Sequence, residues 1–323
     1  MEKSLVIGVD IGAQSSKLGI VDARGSILCQ TVITSLQPTL DEYVEDLSKA
    51  IDLLIDQIGD RNLIRGIGIG APNANYYDGT IEAAANLTWG KDKDGNALHI
   101  EFAKIVGEKT GFPISMTNDA NAAAIGEMTY GVAKGMKNFI MITLGTGVGS
   151  GIVVDGKVVY GHDGFAGELG HTISIRYGRQ CSCGLKGCLE AYTSAIGVAR
   201  TAVERLQESD TPSLLREVPI DKITSKDVYE AAKQGDKMAL EIFDFTANLL
   251  GEAFANFVAF SAPEAIILFG GLAHAREFIE EKIKDSMNEN LVSIWKNKVA
   301  IEFSQLKGSD AAILGASALA WEL

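Results

Sequence analysis

Apolar and polar positions follow two different periods along the chain. Residues 4–28 hold apolar runs separated by Gly12 and by the turn Asp22–Gly25, which predicts three short strands, the second over Leu18–Val21. Residues 41–58 instead place apolar side chains at steps of three and four, which predicts an amphipathic helix. A short strand before Ala71–Pro72 and a buried helix begun by Asn118 or Asp119 follow.

The opening pattern returns at residue 139. "FIMITLGTGVGSGIVVDGKVV" again gives strand, glycine turn, strand, Asp–Gly turn and strand, which fits an internal duplication or two unrelated hairpins. Helical patterns cover Thr193–Gln207 and Ser225–Phe260, and a strand, a double-glycine turn and further helices complete the chain. Strands alternating with helices predict an α/β fold with helices on both sheet faces. Two such halves would leave a ligand cleft between them.

Composition and charge narrow the classes of function. The 323 residues carry a net charge of −13 and a pI near 4.8, so we expect no nucleic-acid partner. The start, "MEKSLVIGVD", does not fit a signal peptide, and the uncharged stretch Asn138–Val154 is too short for a membrane span. We therefore expect a cytoplasmic protein without a membrane partner, whose cysteines stay reduced.

Three glycine-containing turns follow apolar strands, at residues 10–17, 144–151 and 269–275. Successive backbone amides in such turns bind phosphate oxygens, and Asp10 would hold a magnesium ion through water. The GxxxxGK[ST] pattern is absent, and the dinucleotide fingerprint is met only loosely at Gly66 and is interrupted by Pro72. Taken singly, each turn is better explained as a simple β-turn, but this alternative weakens because all three occur in one chain, each directly after an apolar strand.

Three of the four cysteines lie in one loop, "CSCGLKGC". Cys181, Cys183 and Cys188, with His171 upstream, supply one nitrogen and three sulfurs, a complete tetrahedral set for structural zinc. The alternatives are a disulfide and a merely buried group of cysteines.

Three carboxylates accompany these motifs. Glu168 and Glu190 flank the zinc ligands in sequence, and carboxylates held close together accept hydrogen bonds from hydroxyls such as those of a sugar. The alternative is that both glutamates are ordinary solvated surface charges. Asp119 begins a helix, where we expect a lowered pKa and an ionised group able to accept a hydroxyl proton; the alternative is that it only caps the helix.

Taken together, these segments resemble the ROK family of bacterial sugar kinases, within the actin, hexokinase and Hsp70 superfamily. The stretches that carry the resemblance are "VDIGAQSSKLGIVD", "NDANAAAIGE", "LGTGVGSGIVVDGKVVYG", "GFAGELGH", "CSCGLKGCLEAY" and "ILFGGLAHA". The resemblance implies two actin-like (ribonuclease H-like) α/β domains with a ligand cleft between them. We predict a smaller N-terminal domain of residues 1–117 plus 309–323, and a larger domain of residues 118–308 with the zinc loop.

The resemblance also implies ATP-dependent phosphorylation of the 6-hydroxyl of a hexose, and glucose is the leading candidate for that hexose. Alternatives are an N-acetylhexosamine, fructose or allose kinase, or a non-catalytic sugar-responsive regulator. A family repressor carries an N-terminal helix-turn-helix domain, whereas the first strand here begins at Ser4. The cofactors implied are ATP, Mg2+ and structural Zn2+. We also expect a homodimer that acts in carbohydrate metabolism, in glycolysis.

The resemblance also implies roles for individual residues, wherever a motif of this chain matches a motif of the family. Asp119 is the expected catalytic base, Asp10 the magnesium group, and His171 both a zinc ligand and a sugar contact. The expected sugar-binding residues are Asn118, Asp119, Glu168, His171 and Glu190. The expected ATP-binding residues are Asp10, Gly12, Lys17, Thr143, Gly145, Thr146, Gly147, Gly149, Gly270 and Gly271.

The chain departs from the family pattern at two places. Gly12-Ala13-Gln14 stands where the family usually has Gly-Gly-Thr, which bears on ATP affinity. After Pro72 the chain reads "NANYYDG" where the family commonly has glycine, which bears on the identity of the sugar.

Overall fold

The computed structural model describes residues 4–84, 86–92 and 94–323, and of residues 308 and 309 only the backbone. Contacts divide the described chain into two compact units. The first comprises Met1–Met136, Gly151–Gly167 and Gln305–Leu323; the second comprises Lys137–Ser150 and Glu168–Ser304. The division predicted from the sequence, at residues 117/118 and 308/309, stays a prediction. The contact grouping differs from it by assigning residues 118–136, 151–167 and 305–308 to the first unit.

The first unit is built on a five-stranded sheet with the strand order β3-β2-β1-β4-β7. The strands of this sheet, together with a separate two-stranded pair β5–β6, are in chain order β1 Leu5–Ile11, β2 Ser15–Asp22, β3 Ile27–Thr34, β4 Ile64–Gly70, β5 Ile81–Glu82, β6 His99–Ile100 and β7 Ile114–Thr117. β1, β2 and β3 form an antiparallel meander, whereas β4 runs parallel to both β1 and β7. The predicted opening strands are confirmed.

Helices cover both faces of this sheet. They are α1 Leu40–Ile58, α2 Phe102–Thr110, α3 Asp119–Tyr130 and α9 Gly308–Leu319. Ile7 and Val9 of β1 point into one core with Leu47 of α1. On the opposite face α9 lies so close that a Cβ on Gly8 would lie 2.2 Å from the Ile313 carbonyl oxygen. Successive strand residues point to opposite faces, so one strand serves both helix layers.

The second sheet repeats this strand order as β10-β9-β8-β11-β12. Its strands are β8 Phe139–Leu144, β9 Val148–Val154, β10 Lys157–Val158, β11 Ala265–Phe269 and β12 Ala300–Phe303. β11 runs parallel to both β8 and β12, as β4 does to β1 and β7 in the first sheet. This shared topology favours duplication over two unrelated hairpins.

The remaining helices belong to the second unit: α4 Glu190–Thr193, α5 Ala195–Glu208, α6 Ser225–Lys233, α7 Lys237–Ser261 and α8 Arg276–Asn290. The single helical region predicted over Ser225–Phe260 is two helices. Gly235 adopts a left-handed φ of 80°, and the Asp236 side chain accepts the Ala239 amide to begin α7. Across the described residues, no helix combines the length and apolar character needed to cross a membrane.

Short 3-10 helices occur at Arg61–Leu63, Thr88–Gly90, Leu169–His171, Leu214–Glu217, Ile220–Lys222, Gly271–Ala275 and Ala320–Glu322.

Candidate functional site

An acid pair forms in the first unit, where β1 and α3 bring Asp10 and Asp119 within electrostatic range. Burial raises the pKa of Asp10 to about 6, repulsion from Asp119 adds to the shift, and Lys17 opposes it. Lys17 lies directly across from Asp10 in the β1–β2 register. Two carboxylates in this arrangement favour a bound proton or cation between them.

Asp119 differs from the sequence-based prediction in one respect. The helix N-terminus was expected to lower its pKa, but the surrounding protein hinders hydration of the carboxylate and raises that pKa. The backbone amide of Ala120 opposes the shift with a hydrogen bond of 2.8 Å. Asp119 as a whole residue is nevertheless exposed to solvent.

Asn118 is the cap of α3. Its side-chain oxygen accepts the Ala120 amide at 2.8 Å, and Asp119 is the first residue of the helix. The end of β4 lies beside this start, because a Cβ on Gly70 would lie 3.7 Å from the Asp119 Cα. Asn118 is therefore the cap, and the Asp119 carboxylate, which also accepts the Ala120 amide, has further lone pairs for another role.

The first glycine turn is a tight connection between β1 and β2. The Gly12 amide donates to the Ser15 carbonyl at 3.1 Å, and the Gln14 carbonyl accepts the Ser35 amide at 3.0 Å. The Gln14 side chain is exposed, whereas Ala13 is half-buried. Gln14, which replaces the family threonine, is thus not needed for packing.

The second glycine turn, Gly145–Gly147, is held by hydrogen bonds within the turn and to a neighbouring side chain. The Gly145 amide donates to the Gly147 carbonyl at 3.0 Å, and the Thr143 hydroxyl accepts the Gly149 amide at 3.1 Å. The Thr146 side chain is exposed. Thr143 therefore shapes the turn, and its predicted contact with ATP stays a prediction.

Gly270 and Gly271 form the third turn, after β11. Gly270 has a φ of 106°, and a Cβ there would lie 2.6 Å from the Leu144 carbonyl oxygen. A Cβ on Gly271 would meet nothing within 4 Å. Gly270 is therefore required by the backbone, while Gly271 borders open space.

The four predicted zinc ligands come together. The potential ligand atoms of His171, Cys181, Cys183 and Cys188 all lie within 4.8 Å of one another. The Cys183 and Cys188 sulfurs are 3.7 Å apart, and the Cys181 sulfur lies 3.8 Å from His171 Nδ1. Four ligands about 2.3 Å from a tetrahedral zinc lie about 3.7 Å apart, so the cluster fits zinc. The sulfur separation is too long for the disulfide alternative.

His171 leaves one ring nitrogen for a second contact. Its Nδ1 faces Cys181, whereas its Nε2 lies 4.0 Å from Glu168 Oε2. Glu168 is exposed and directly precedes the 3-10 helix Leu169–His171. This geometry suits a histidine that binds metal on one side and a ligand or carboxylate on the other.

Glu190 has a role that the sequence did not predict. Its Oε2 accepts the Val148 amide at 2.9 Å, and its Oε1 accepts the Ser182 hydroxyl at 3.2 Å. A Cβ on Gly147 would lie 2.5 Å from the same Oε2. One carboxylate thus joins the second glycine turn to the cysteine loop. Its remaining lone pairs leave the predicted sugar contact chemically possible.

The predicted site residues therefore fall into two groups, one in each unit. The first unit holds Asp10, Gly12, Lys17, Asn118 and Asp119. The second unit holds Thr143, Gly145, Thr146, Gly147, Gly149, Glu168, His171, Cys181, Cys183, Cys188, Glu190, Gly270 and Gly271.

The sequence profile of the ROK family matches residues 6–322. The chain belongs to the ROK family. ROK structures that resemble it include a ROK family glucokinase from Streptomyces griseus in complex with glucose and AMPPNP. That likeness has a TM-score of 0.81 and 32% sequence identity, and it covers 99% of this chain and 100% of the other. The predicted α/β, actin-like fold class is confirmed.

Two relatives show the range of the family. A glucokinase from Halalkalibacterium halodurans is 35% identical over 96% of this chain and 92% of its own length. A xylose repressor from Caldicellulosiruptor bescii is 28% identical over 97% of this chain and 77% of its own length. ROK proteins with enzymatic and with regulatory names therefore both align with nearly the whole chain.

Proposed function

We propose that this ROK protein is an ATP-dependent glucokinase, which transfers the γ-phosphoryl group of ATP to the 6-hydroxyl of glucose. Full-length similarity to glucokinases supports the proposal, as does the likeness to a glucokinase bound to glucose and an ATP analogue. The structural observation that carries it is Asp119, a solvent-exposed residue at the start of α3 whose carboxylate lies within electrostatic range of Asp10.

Asp119 acts as the base. The sugar O6 attacks the γ-phosphorus, its proton passes to the Asp119 carboxylate, and the bond from phosphorus to the bridging oxygen breaks to release ADP. A raised pKa makes the carboxylate a better proton acceptor, provided that it is ionised at the working pH. Phosphoryl transfer otherwise requires mainly positioning and neutralisation of charge.

The other site residues bind and orient the substrates. The turns at Gly12 and Gly145–Gly147 hold the phosphates through backbone amides other than those of Gly12 and Gly145, which close the turns themselves. Lys17, Thr143, Thr146 and Gly149 lie nearby in sequence, and Gly270 and Gly271 accept the adenosine. Hexose hydroxyls donate to the carboxylates of Asp119, Glu168 and Glu190. Asn118 and His171 also hydrogen-bond the sugar, and His171, with Nδ1 on the zinc side, donates from Nε2. Polar groups at such a site reject sugars whose hydroxyls leave them unpaired.

Two metals suit the residues present. Mg2+ prefers carboxylate oxygens and water, and Asp10, whose pKa is raised first by burial and then by Asp119, would hold it through water. The ion supplies charge neutralisation at the phosphates when bound. Zn2+ fits the closed His171, Cys181, Cys183 and Cys188 cluster and has a structural role there, since four protein ligands leave no open position.

We extend the proposal to the setting of the reaction. The family resemblance supports a cytoplasmic homodimer in carbohydrate metabolism that supplies glycolysis, without a membrane partner. The acidic composition argues against a nucleic-acid partner. Light scattering on the purified protein tests the dimer, which has twice the 34.4 kDa chain mass.

A coupled assay of ADP release tests the activity and its base. We expect turnover with glucose to exceed that with N-acetylglucosamine, N-acetylmannosamine, fructose and allose. Asp119→Asn keeps the side-chain shape but should lower kcat by about 100-fold or more. Asp41→Asn is the matched control, because Asp41 also lies in the first turn of a helix but is outside the predicted site. Equal rates for Asp119→Asn and the unmodified protein would reject the assignment.

The similarity to a xylose repressor favours one alternative, a sugar-binding regulator without catalysis. Such a protein would bind glucose in a calorimeter but release no glucose-dependent ADP. The two measurements together separate the alternatives.

A further inference from the structure

A cluster of residues in the first unit joins the loop after β4 to the segment after β10. We name Asn75, Tyr76, Tyr77 and Tyr160 the tyrosine clamp. The rings of Tyr76 and Tyr160 stack with centroids 4.0 Å apart and an interplanar angle of 4°. Tyr77 lies edge-on to both rings, at 6.0 Å from each. Aromatic pairs of this geometry stabilise contacts beyond the area that they bury.

Hydrogen bonds lock the same two segments together. The Tyr77 hydroxyl donates to the Gly161 carbonyl at 2.7 Å, and Asn75 Nδ2 donates to the Asp163 carbonyl at 2.7 Å. Asn75 is only 4% exposed, and its Oδ1 accepts the Tyr77 amide at 2.9 Å. A Cβ on Gly164 would lie 2.4 Å from that Oδ1, so the Asn75 side chain packs directly against the Gly164 backbone.

The clamp lies next to the segment that carries the proposed base. The clamped loop begins at Ala71, whose amide donates to the Thr117 carbonyl at 3.0 Å, one residue before Asn118. Tyr160 is hydrogen-bonded to the Thr117 side chain. The segment 160–167 leads in sequence directly into Glu168. The clamp thus connects the loop beside the start of α3 with the chain that runs on to Glu168 and His171.

We propose that the tyrosine clamp is a positioning device for hexose binding, with Tyr77 and Asn75 as positioning residues. The proposal rests on the proposed glucokinase function and gives a role to the "NANYYDG" stretch, where this chain departs from the family pattern. The clamp acts by holding the loop in its binding conformation before the sugar arrives. Preorganisation reduces the entropy lost on binding, so the clamp should affect sugar affinity more than the chemical step.

Two substitutions of graded severity test the clamp. Tyr77→Phe removes only the bond to Gly161, and because the residue is 59% exposed the variant should fold normally. Loss of one such bond should raise the KM for glucose about threefold, with less than a twofold change in kcat and in the KM for ATP. Asn75→Ala removes the buried contacts and should raise the glucose KM about 10-fold or more.

Tyr229→Phe is the matched control. Tyr229 makes an equivalent exposed bond, to Glu277 Oε1 at 2.9 Å, in the second unit and outside the predicted site. Calorimetric titration with glucose alone gives a readout that does not depend on turnover, and Tyr77→Phe should weaken this binding by the same factor.

The proposal is overturned if Tyr77→Phe leaves the glucose KM and Kd unchanged, if it lowers kcat instead, or if Tyr229→Phe has the same effect. All three results leave phosphorylation of glucose by the unmodified protein intact. They are therefore distinguishable from failure of the proposed function.

Discussion

Replacing Asp10 by Asn should make the protein more stable and at the same time inactive. Asp10 is half-buried on β1, and burial together with Asp119 raises its pKa from 3.8 to about 6. Because this folded-state pKa lies above the unfolded value, the ionised carboxylate is the form that destabilises the fold. That destabilisation is absent well below pH 3.8, develops between pH 3.8 and about 6, and is complete above that range.

The size of the effect follows from the shift. At about 1.4 kcal/mol per pKa unit, a rise from 3.8 to about 6 corresponds to about 3 kcal/mol at neutral pH. Asn has the same shape but no charge to desolvate, so Asp10→Asn should gain about this amount in free energy of unfolding. Near pH 5 the gain should fall to about half, because the native carboxyl is then mostly protonated.

Urea unfolding of the protein without nucleotide or magnesium measures this gain. Two of the three tryptophans, Trp89 and Trp321, lie in the same unit as Asp10 and Trp295 lies in the second, so tryptophan fluorescence reports mainly on the first unit. The same variant should lose ATP turnover if Asp10 places magnesium. A variant no more stable than the unmodified protein at neutral pH, or equally stabilised at both pH values, would refute the electrostatic reasoning.

Further predictions concern the second unit. Gly147→Ala places a Cβ 2.5 Å from Glu190 Oε2, so it should lower the unfolding free energy by about 1–3 kcal/mol in urea titrations and raise the KM for ATP. In Gly145→Ala the added Cβ has nothing within 4 Å, so its unfolding free energy should stay within about 0.5 kcal/mol of the unmodified protein's. Equal losses of stability in the two variants would contradict the contact between Gly147 and Glu190. Cys188→Ser should lose zinc by elemental analysis and melt at lower temperature, whereas Cys29→Ser, outside the cluster, should keep one zinc per chain. Full zinc content in Cys188→Ser would show that the ion lies elsewhere.

Local sequence patterns predicted much of the fold. The strand–turn–strand segments around Gly12 and Gly145 and the helix α1 are each decided by periodicity within a short window, and all are present. The short strands β7 and β12 were not predicted, since each has only four residues and is stabilised by pairing with a strand distant in sequence. The break between α6 and α7 depends on one glycine, which a helix-period pattern tolerates.

Residue types predicted the zinc cluster, but not every role in the site. The Cys and His spacing sufficed because the four ligands are close in sequence. The contact between Glu190 and Val148 was not predicted, since it depends on how distant elements pack, and the glycine at position 147 was the one hint of a close approach there. For Asp119, the helix start was predicted correctly, but the direction of the pKa shift was wrong because burial is a property of the folded chain.

Phosphoryl transfer to a hexose is best tested by 31P NMR of the products that the purified protein forms from magnesium ATP and glucose. We predict that the γ-phosphate signal of ATP decreases as ADP and glucose 6-phosphate appear in equal amounts, with Asp119→Asn far slower than Asp41→Asn. Unchanged ATP in the presence of glucose, or inorganic phosphate as the only new phosphorus product beside ADP, would contradict the account.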